Sequence, residues 1–380
     1  MVDDVTAPLP PHAGVPDGVA TLADYETRAA AHMAAEAWRY VQEGSGEERT
    51  LHDNRAAFAR LRLLPRVLAD LRGGSTATTL FGRTHAAPIL LAPIAFHRLA
   101  HPEGELATAR AAAALETGMV LSTLSSVTLE EVATASRAAA TDLGRPPASL
   151  WFQLYLQDER ARSLDLVRRA ETAGYEAIML TVDSAVKRAS LTLPAGVDAA
   201  NLRGHPRLRQ TTSAGGAILF GTLLVDAAPR WDDVAWLRAQ TRLPILLKGV
   251  LNPADAAMAI EHGADGLVVS NHGGRVLDDV VTAPEMMPAM ADAIGGRVPL
   301  LLDGGVRSGT DIAKALALGA TAVMIGRPQV HALAVAGMAG VAHILHLLRA
   351  ELEQAMVQLG CRTPAALTPD RLRTRFAEHI

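Results

Sequence analysis

Residues 299–320, PLLLDGGVRSGTDIAKALALGA, hold the pattern on which the fold turns. Leu300, Leu301 and Leu302 are apolar without alternation, as in a strand buried on both faces of a parallel sheet. The chain then becomes polar and glycine-rich through Asp303-Gly304-Gly305-Val306-Arg307-Ser308-Gly309. An alanine-rich amphipathic helix follows, with apolar residues at helical spacing. This is one strand–turn–helix unit, and its turn carries a carboxylate, a cation and glycines.

The same unit recurs on both sides. Apolar strands are predicted at 88–94, 119–123, 150–155, 177–182, 244–249, 266–270, 299–303 and 321–326. Between them lie helical stretches such as EGELATARAAAALETG, SLDLVRRAETAGY and ADAAMAIEHGA. Eight βα units in series predict an α/β chain of the (β/α)8 TIM-barrel class. A doubly wound open sheet is the competing arrangement. The barrel is favoured because no GxGxxG follows the first strand. Polar residues also end nearly every strand, and only a barrel brings all those ends to one mouth. Helical spacing over 21–43 adds N-terminal helices, and residues 184–230 form a long loop after strand four. Residues 1–20, rich in proline, read as a flexible tail, leaving 21–380 as a single domain.

Composition narrows the function. Hydrophobic residues make up 49% of the 380, enough for a large core, and the formal net charge is −4. A nucleic-acid partner is excluded, because binding one needs a basic face. Cys361 is the lone cysteine, so an intrachain disulfide and a cysteine metal cluster are excluded. The N-terminus lacks the basic start and apolar stretch of a signal peptide, and a cytoplasmic location is expected. No apolar run reaches spanning length. The stretch AGGAILFGTLLV, 214–225, suits a lid, a subunit contact or a surface anchor.

The strand ends carry the chemistry. Strand five ends at Lys248, strand six in Ser270-Asn271-His272-Gly273-Gly274-Arg275, strand seven at Asp303 and strand eight at Gly326-Arg327. Loops after strands seven and eight are the usual phosphate site of such barrels, where glycines let backbone N–H groups approach an anion. His272 is the natural base at neutral pH. Asp303 is expected to orient it, and Arg275 to bind a carboxylate. Lys248 after a buried apolar run is costly without a partner, which favours a functional role. His97, His101, His262 and His331 read as structural.

Taken together, LTVD, PILLKGV, VVSNHGGR, LLDGGVRSGTDIAKALALGA and IGRP resemble the FMN-dependent α-hydroxy acid oxidase and dehydrogenase family over about residues 21–360. The resemblance implies FMN as cofactor and oxidation of a 2-hydroxy acid to the keto acid. It implies His272 as catalytic base with Asp303 as its partner, and Arg275 with Tyr40 as the carboxylate clamp. Tyr155 is the implied active-site tyrosine and Lys248 the flavin-edge lysine. Ala92, Pro93 and Ala95 would lie against the flavin. Ser122, Gln153, Thr181 and Ser270 would contact the ring or ribityl chain. Asp303, Gly305, Arg307, Gly326 and Arg327 would surround the phosphate.

Departures from the family pattern bear on substrate. The segment TVDSAVKRASLTLP is short, with Arg188 as candidate second substrate arginine. Leu124 replaces a tryptophan common in relatives, and Ile94 a small polar residue. The expected substrate is therefore larger than glycolate, aromatic or branched, of the L series. Ala95 favours release of keto acid and peroxide, with oxygen as acceptor. A quinone-linked dehydrogenase, the same barrel on another substrate, and a non-catalytic FMN-binding module are the alternatives. Homotetramers are common in the family, and a homo-oligomer is expected.

Overall fold

The computed structural model describes residues 7–184, 191–204, 219, 220 and 222–374. Eight parallel strands close into a barrel: β1 (Ile89–Leu91), β2 (Gly118–Ser122), β3 (Leu150–Leu154), β4 (Ala177–Thr181), β5 (Ile245–Val250), β6 (Gly266–Val269), β7 (Leu300–Asp303) and β8 (Ala322–Ile325). All eight expected strands are present. β1 is shorter than 88–94, since Pro93 has no N–H to continue a ladder. Register sets Thr181 beside Lys248 and Asp303 beside Met324, so the polar strand ends meet at one rim.

Nearly every strand residue is buried. One set, including Leu90, Val120, Trp151, Met179, Leu246, Val268, Leu301 and Met324, fills the barrel interior. At the base an antiparallel hairpin, Thr78–Leu80 with Arg83–His85, adds Leu80 and Phe81 to this cluster. The Phe81 and Trp151 rings sit 5.6 Å apart. The other face of each strand packs on the outer helices. These include α4 (Glu105–Ala114), α5 (Leu129–Asp142), α6 (Arg160–Ala173), α8 (Trp231–Gln240), α9 (Pro253–Glu261), α10 (Ala283–Ile294) and α11 (Gly309–Ala317). Their starts follow local capping chemistry: Thr128, Thr282 and Ser308 each accept from the backbone N–H three residues on.

Three helices precede the barrel: α1 (Leu22–Ala29), α2 (Ala35–Gln42) and α3 (Arg49–Arg60). Residues 7–20 depart from the expected flexible tail. Leu9 N–H donates to Ala31 O and His12 N–H to Val335 O, both at 2.8 Å, and Val19 is buried. These backbone bonds tie the segment to the turn after α1, Ala30–His32, and to α12 (Arg327–Gln358). By length and composition α12 could cross a membrane. It breaks at Ala336 and Gly337, however, and most of its apolar length is buried against α1, α4 and α11.

The connection after β4 includes a short helix α7 (Leu223–Asp226) and a turn at Ala200–Leu202. Asn201 fastens that turn to the loop after β2, donating to Ser125 Oγ at 2.8 Å and accepting from Leu129 N–H at 2.9 Å. Of the stretch 214–225, residues 214–218 and 221 lie outside the described residues.

Candidate active site

The strand ends enclose a cavity of about 460 Å³ at the barrel mouth. Most of the expected site residues line it: Tyr40, Ala92, Pro93, Ile94, Ala95, Ser122, Leu124, Gln153, Tyr155, Thr181, Lys248, His272, Arg275, Asp303, Gly305, Arg307, Gly326 and Arg327. Two do not join them. Arg188 lies outside the described residues. Ser270 is fully buried behind the wall.

His272 takes a left-handed backbone conformation, φ 58°. That is a strained choice for a residue with a Cβ. Its Nδ1 lies 2.9 Å from Asp183 Oδ1, so the carboxylate beside the imidazole is Asp183 and not Asp303. Asp303 ends β7 and Asp183 lies two residues past the end of β4, but Asp303 is engaged elsewhere. Burial alone would raise the Asp183 carboxyl; the charge and hydrogen bond of His272, with Lys248, reverse this and lower it. The pair depends on Gly249, because a Cβ there would fall 2.3 Å from Asp183 Cγ.

Asp303 instead pairs with Lys248 (Nζ–Oδ2 2.8 Å), and Ser270 Oγ donates to the same oxygen at 2.8 Å. Burial opposes the Lys248 charge, but Asp303 and Asp183 outweigh it and raise its pKa. Ser270 Oγ also accepts from Lys248 Nζ at 3.1 Å and from His272 N–H at 3.0 Å. The Ser270 hydroxyl thus joins Lys248, Asp303 and the His272 backbone behind the wall.

At the opposite end the wall is cationic. Burial, then Arg275 and Arg307, pull Arg327 down to about 9. Burial, then Arg55, pulls Arg307 down to about 10. Guanidinium groups stay charged in proteins, so these shifts measure how strongly burial and mutual repulsion oppose the cations sharing this wall. A dianionic phosphate relieves both. Arg307 Nε is buried and finds no hydrogen-bond partner among the described residues. Gly305, φ 81°, lies so close to α3 that a Cβ would sit 2.0 Å from Asn54 O. On the β2–β3 side Gln153 Nε2 is likewise a buried donor without a partner among the described residues. A phosphate cradle at one end and an orphan amide donor at the other fit a phosphorylated flavin, whose ring presents carbonyl and nitrogen acceptors.

Arg275 faces the cavity, but its guanidinium donates to Tyr40 O (2.7 Å), Val41 O and Glu43 O (3.0 Å each). Arg327 donates to Val41 O and Glu43 O as well. Both cations thus cap the C-terminal end of α2, where they also complement its dipole. The Arg275 guanidinium carbon sits 5.1 Å from the centre of the Tyr40 ring, bringing the expected clamp together. Burial raises the Tyr40 and Tyr155 phenols, keeping both as donors at neutral pH. Between these polar ends Ile94, Leu124, Leu191, Leu193, Ala227, Ala228 and Pro229 form an apolar wall.

Three contributors escaped the sequence reading. Asp183 ends the quoted LTVD stretch, and a carboxylate at a strand end was its signal. Asn54 exchanges two hydrogen bonds with Asn271, at 3.0 and 2.8 Å, locking α3 onto the base loop. Nothing in the sequence pairs them. Glu105 is fully buried and accepts from His97 N–H and Ser126 N–H, joining the loops after β1 and β2.

This mouth and barrel define a flavin-dependent oxidoreductase acting on a small carboxylic acid, and the comparisons agree. Residues 29–374 match the model of the FMN-dependent dehydrogenase family. The chain belongs to that family, with FMN as its cofactor, and is an oxidoreductase of 2-hydroxy acids. It is 49% identical to an L-lactate oxidase of Alicycliphilus denitrificans, over 96% of this chain and 99% of that protein. It is 44% identical to a 4-hydroxymandelate oxidase of Amycolatopsis orientalis, over 94% and 98%. Among solved structures, a mandelate oxidase with benzoyl-formic acid superposes with a TM-score of 0.82 at 42% identity, covering 93% of this chain and 98% of that one.

Proposed function

We propose that this enzyme oxidises an L-2-hydroxy acid larger than glycolate, with an aromatic or branched side chain, with oxygen as acceptor and hydrogen peroxide as product. The observation that carries this reading is the apolar wall beside the His272–Asp183 pair. Leu124 and Ile94 offer a substituent apolar surface and no hydrogen-bond donor or acceptor from their side chains. Relatives named for mandelate and for lactate bracket the size range.

FMN, when bound, would supply the two-electron acceptor for oxidation at the substrate α-carbon. The protein's part is positional and acid–base. Tyr40 and Arg275 hold the substrate carboxylate. His272, with Nδ1 on Asp183, takes the hydroxyl proton at Nε2, and Asp183 stabilises the imidazolium so formed. Tyr155 donates to the oxygen that becomes the carbonyl. Lys248, charged through Asp303, would counter negative charge on the flavin ring. Arg307 and Arg327 would hold the FMN phosphate. The apolar wall keeps water from the reacting carbon.

The test is anaerobic bleaching of the purified yellow protein with glycolate, lactate, 2-hydroxyisocaproate and mandelate, followed by peroxide measurement in air. Faster bleaching by the last two than by glycolate, with peroxide matching keto acid, is the expected result. Bleaching by glycolate alone, or turnover without peroxide, would overturn the substrate or acceptor assignment respectively. One methylene in an apolar pocket is worth about 10–200-fold, so the ranking is readable.

A further inference from the structure

The apolar wall at the substrate end is assembled from separate pieces of chain. Leu124 stands in the loop after β2, and Leu191 and Leu193 in the connection after β4. The barrel ladder does not pair these pieces directly, because β3 lies between β2 and β4. Their spacing has to be set outside the sheet.

Asn201 is placed to set it. Beyond Leu193 the chain turns, with Val197 N–H donating to Pro194 O at 3.1 Å, and Asp198 pairs with Arg203. Asn201 lies within this short folded segment and is 1% exposed. A buried amide has to find partners for its polar atoms. Its Nδ2 donates to Ser125 Oγ at 2.8 Å, and its Oδ1 accepts from Leu129 N–H at 2.9 Å. Ser125 Oγ gives its own proton to Val127 O, so toward Asn201 it can only accept. Leu129 opens α5, and a first-turn N–H has no partner within its own helix. The amide therefore fits in one orientation only. Around it, Ala200 N–H donates to Ser125 O at 2.9 Å and Arg169, paired with Glu130 of α5, donates to Asn201 O at 3.2 Å. The loop it grips is held from the other side too. Leu124 O accepts from Phe96 N–H at 3.1 Å, and Ser126 N–H donates to buried Glu105 at 2.8 Å.

We propose that Asn201 is a specificity-determining positioning residue. Its side-chain amide clasps the segment carrying Leu191 and Leu193 to the loop carrying Leu124, and so sets the width of the wall that meets the substrate side chain. Asn201 itself does not line the cavity. The role deepens the substrate reading given above and rests on it: preference for a large side chain is held by a buried amide outside the pocket.

The experiment compares wild type, Asn201→Ala, Ser125→Ala and the double variant as holoenzymes. Hydrogen exchange needs no substrate. In Asn201→Ala the Leu129 and Ala200 amides are expected to exchange at least about tenfold faster, as local opening becomes easier. Val132 N–H, bonded to Thr128 O, should keep its rate. Steady-state kinetics follow with mandelate, 2-hydroxyisocaproate and glycolate. For the first two, kcat/KM in Asn201→Ala should fall about tenfold or more, the scale of a lost apolar contact. The loss should appear in KM, because a wall contact serves ground and transition states alike. For glycolate, which has no side chain, and for FMN affinity, changes should stay below about threefold, since neither draws on the wall. The double variant should lose less than the product of the single losses, as for two groups in one contact.

Unchanged exchange at Leu129 and Ala200 would overturn the clasp. Equal losses on all three acids, or losses carried by kcat, would make Asn201 a general support of the fold and overturn the specificity role. If Asn201→Ala does not fold, Ser125→Ala, which removes the same bond from the other side, takes its place in both arms. If no acid bleaches the wild-type flavin, the substrate reading fails and the specificity role falls with it, while the exchange arm still decides the clasp.

Discussion

Gly249 and Asp183 show how much of a base is decided by residues that never meet the substrate. Asp183→Asn keeps the shape but removes the charge that stabilises imidazolium, and flavin reduction is expected to fall by about 10²–10⁴-fold. Gly249→Ala should approach the same loss by a different route, because its Cβ displaces the carboxylate; stopped-flow reduction with FMN content checked would show it. The Asp183 carboxyl is lowered in the folded protein. Its contribution to stability is therefore complete above its unfolded pKa and disappears as pH falls through the lower, folded one. Melting curves from pH 5 downward should accordingly converge for wild type and Asp183→Asn as acid is added. His272 was legible in the sequence because SNHGGR is so specific a string. Its partner was not, since Asp183 and Asp303 lie at or just past strand ends and spacing alone cannot tell which side chain turns toward His272.

At the scale of elements, the βα units were legible and their supports were not. Unbroken Leu, Ile and Val runs announce strands buried on both faces, and all eight appear where expected. The packing of α3 on the mouth comes from one amide pair and one glycine, neither of which has a local signature. Gly305→Ala would drive a Cβ into Asn54 O, so the loop after β7 and α3 must part. The expected outcome is loss of bound FMN with the barrel's far-ultraviolet circular dichroism retained. Residues 7–20 were misjudged for a related reason. Proline-rich composition reports low helix and strand tendency, but not whether the carbonyls of Ala31 and Val335 are waiting to accept.

For the whole molecule, closure of the barrel brings cations from β6, β7 and β8 to one wall, at a cost that burial and repulsion make plain in Arg307 and Arg327. Binding an anion there should stabilise the entire fold. Ligand at a hundred times its dissociation constant contributes about 2.7 kcal/mol. Stripping FMN should therefore lower Tm, and inorganic phosphate alone should restore part of the loss; a phosphate-insensitive apoprotein would contradict the cradle. The barrel class and its cationic mouth were readable from strand-end residues. The substrate wall was readable only in part, because most of it comes from the long connection after β4, whose path no periodicity dictates.

The hairpin beneath the barrel has a kinetic corollary. With Phe81 and Trp151 stoppering the base, traffic to His272 runs through the mouth, and a departing keto acid meets the next hydroxy acid in the same doorway. The two compete for one vestibule and one clamp. Steady-state rates measured with added keto acid should show a rise in apparent KM at constant kcat, a queue written into the architecture of a cup with a single rim.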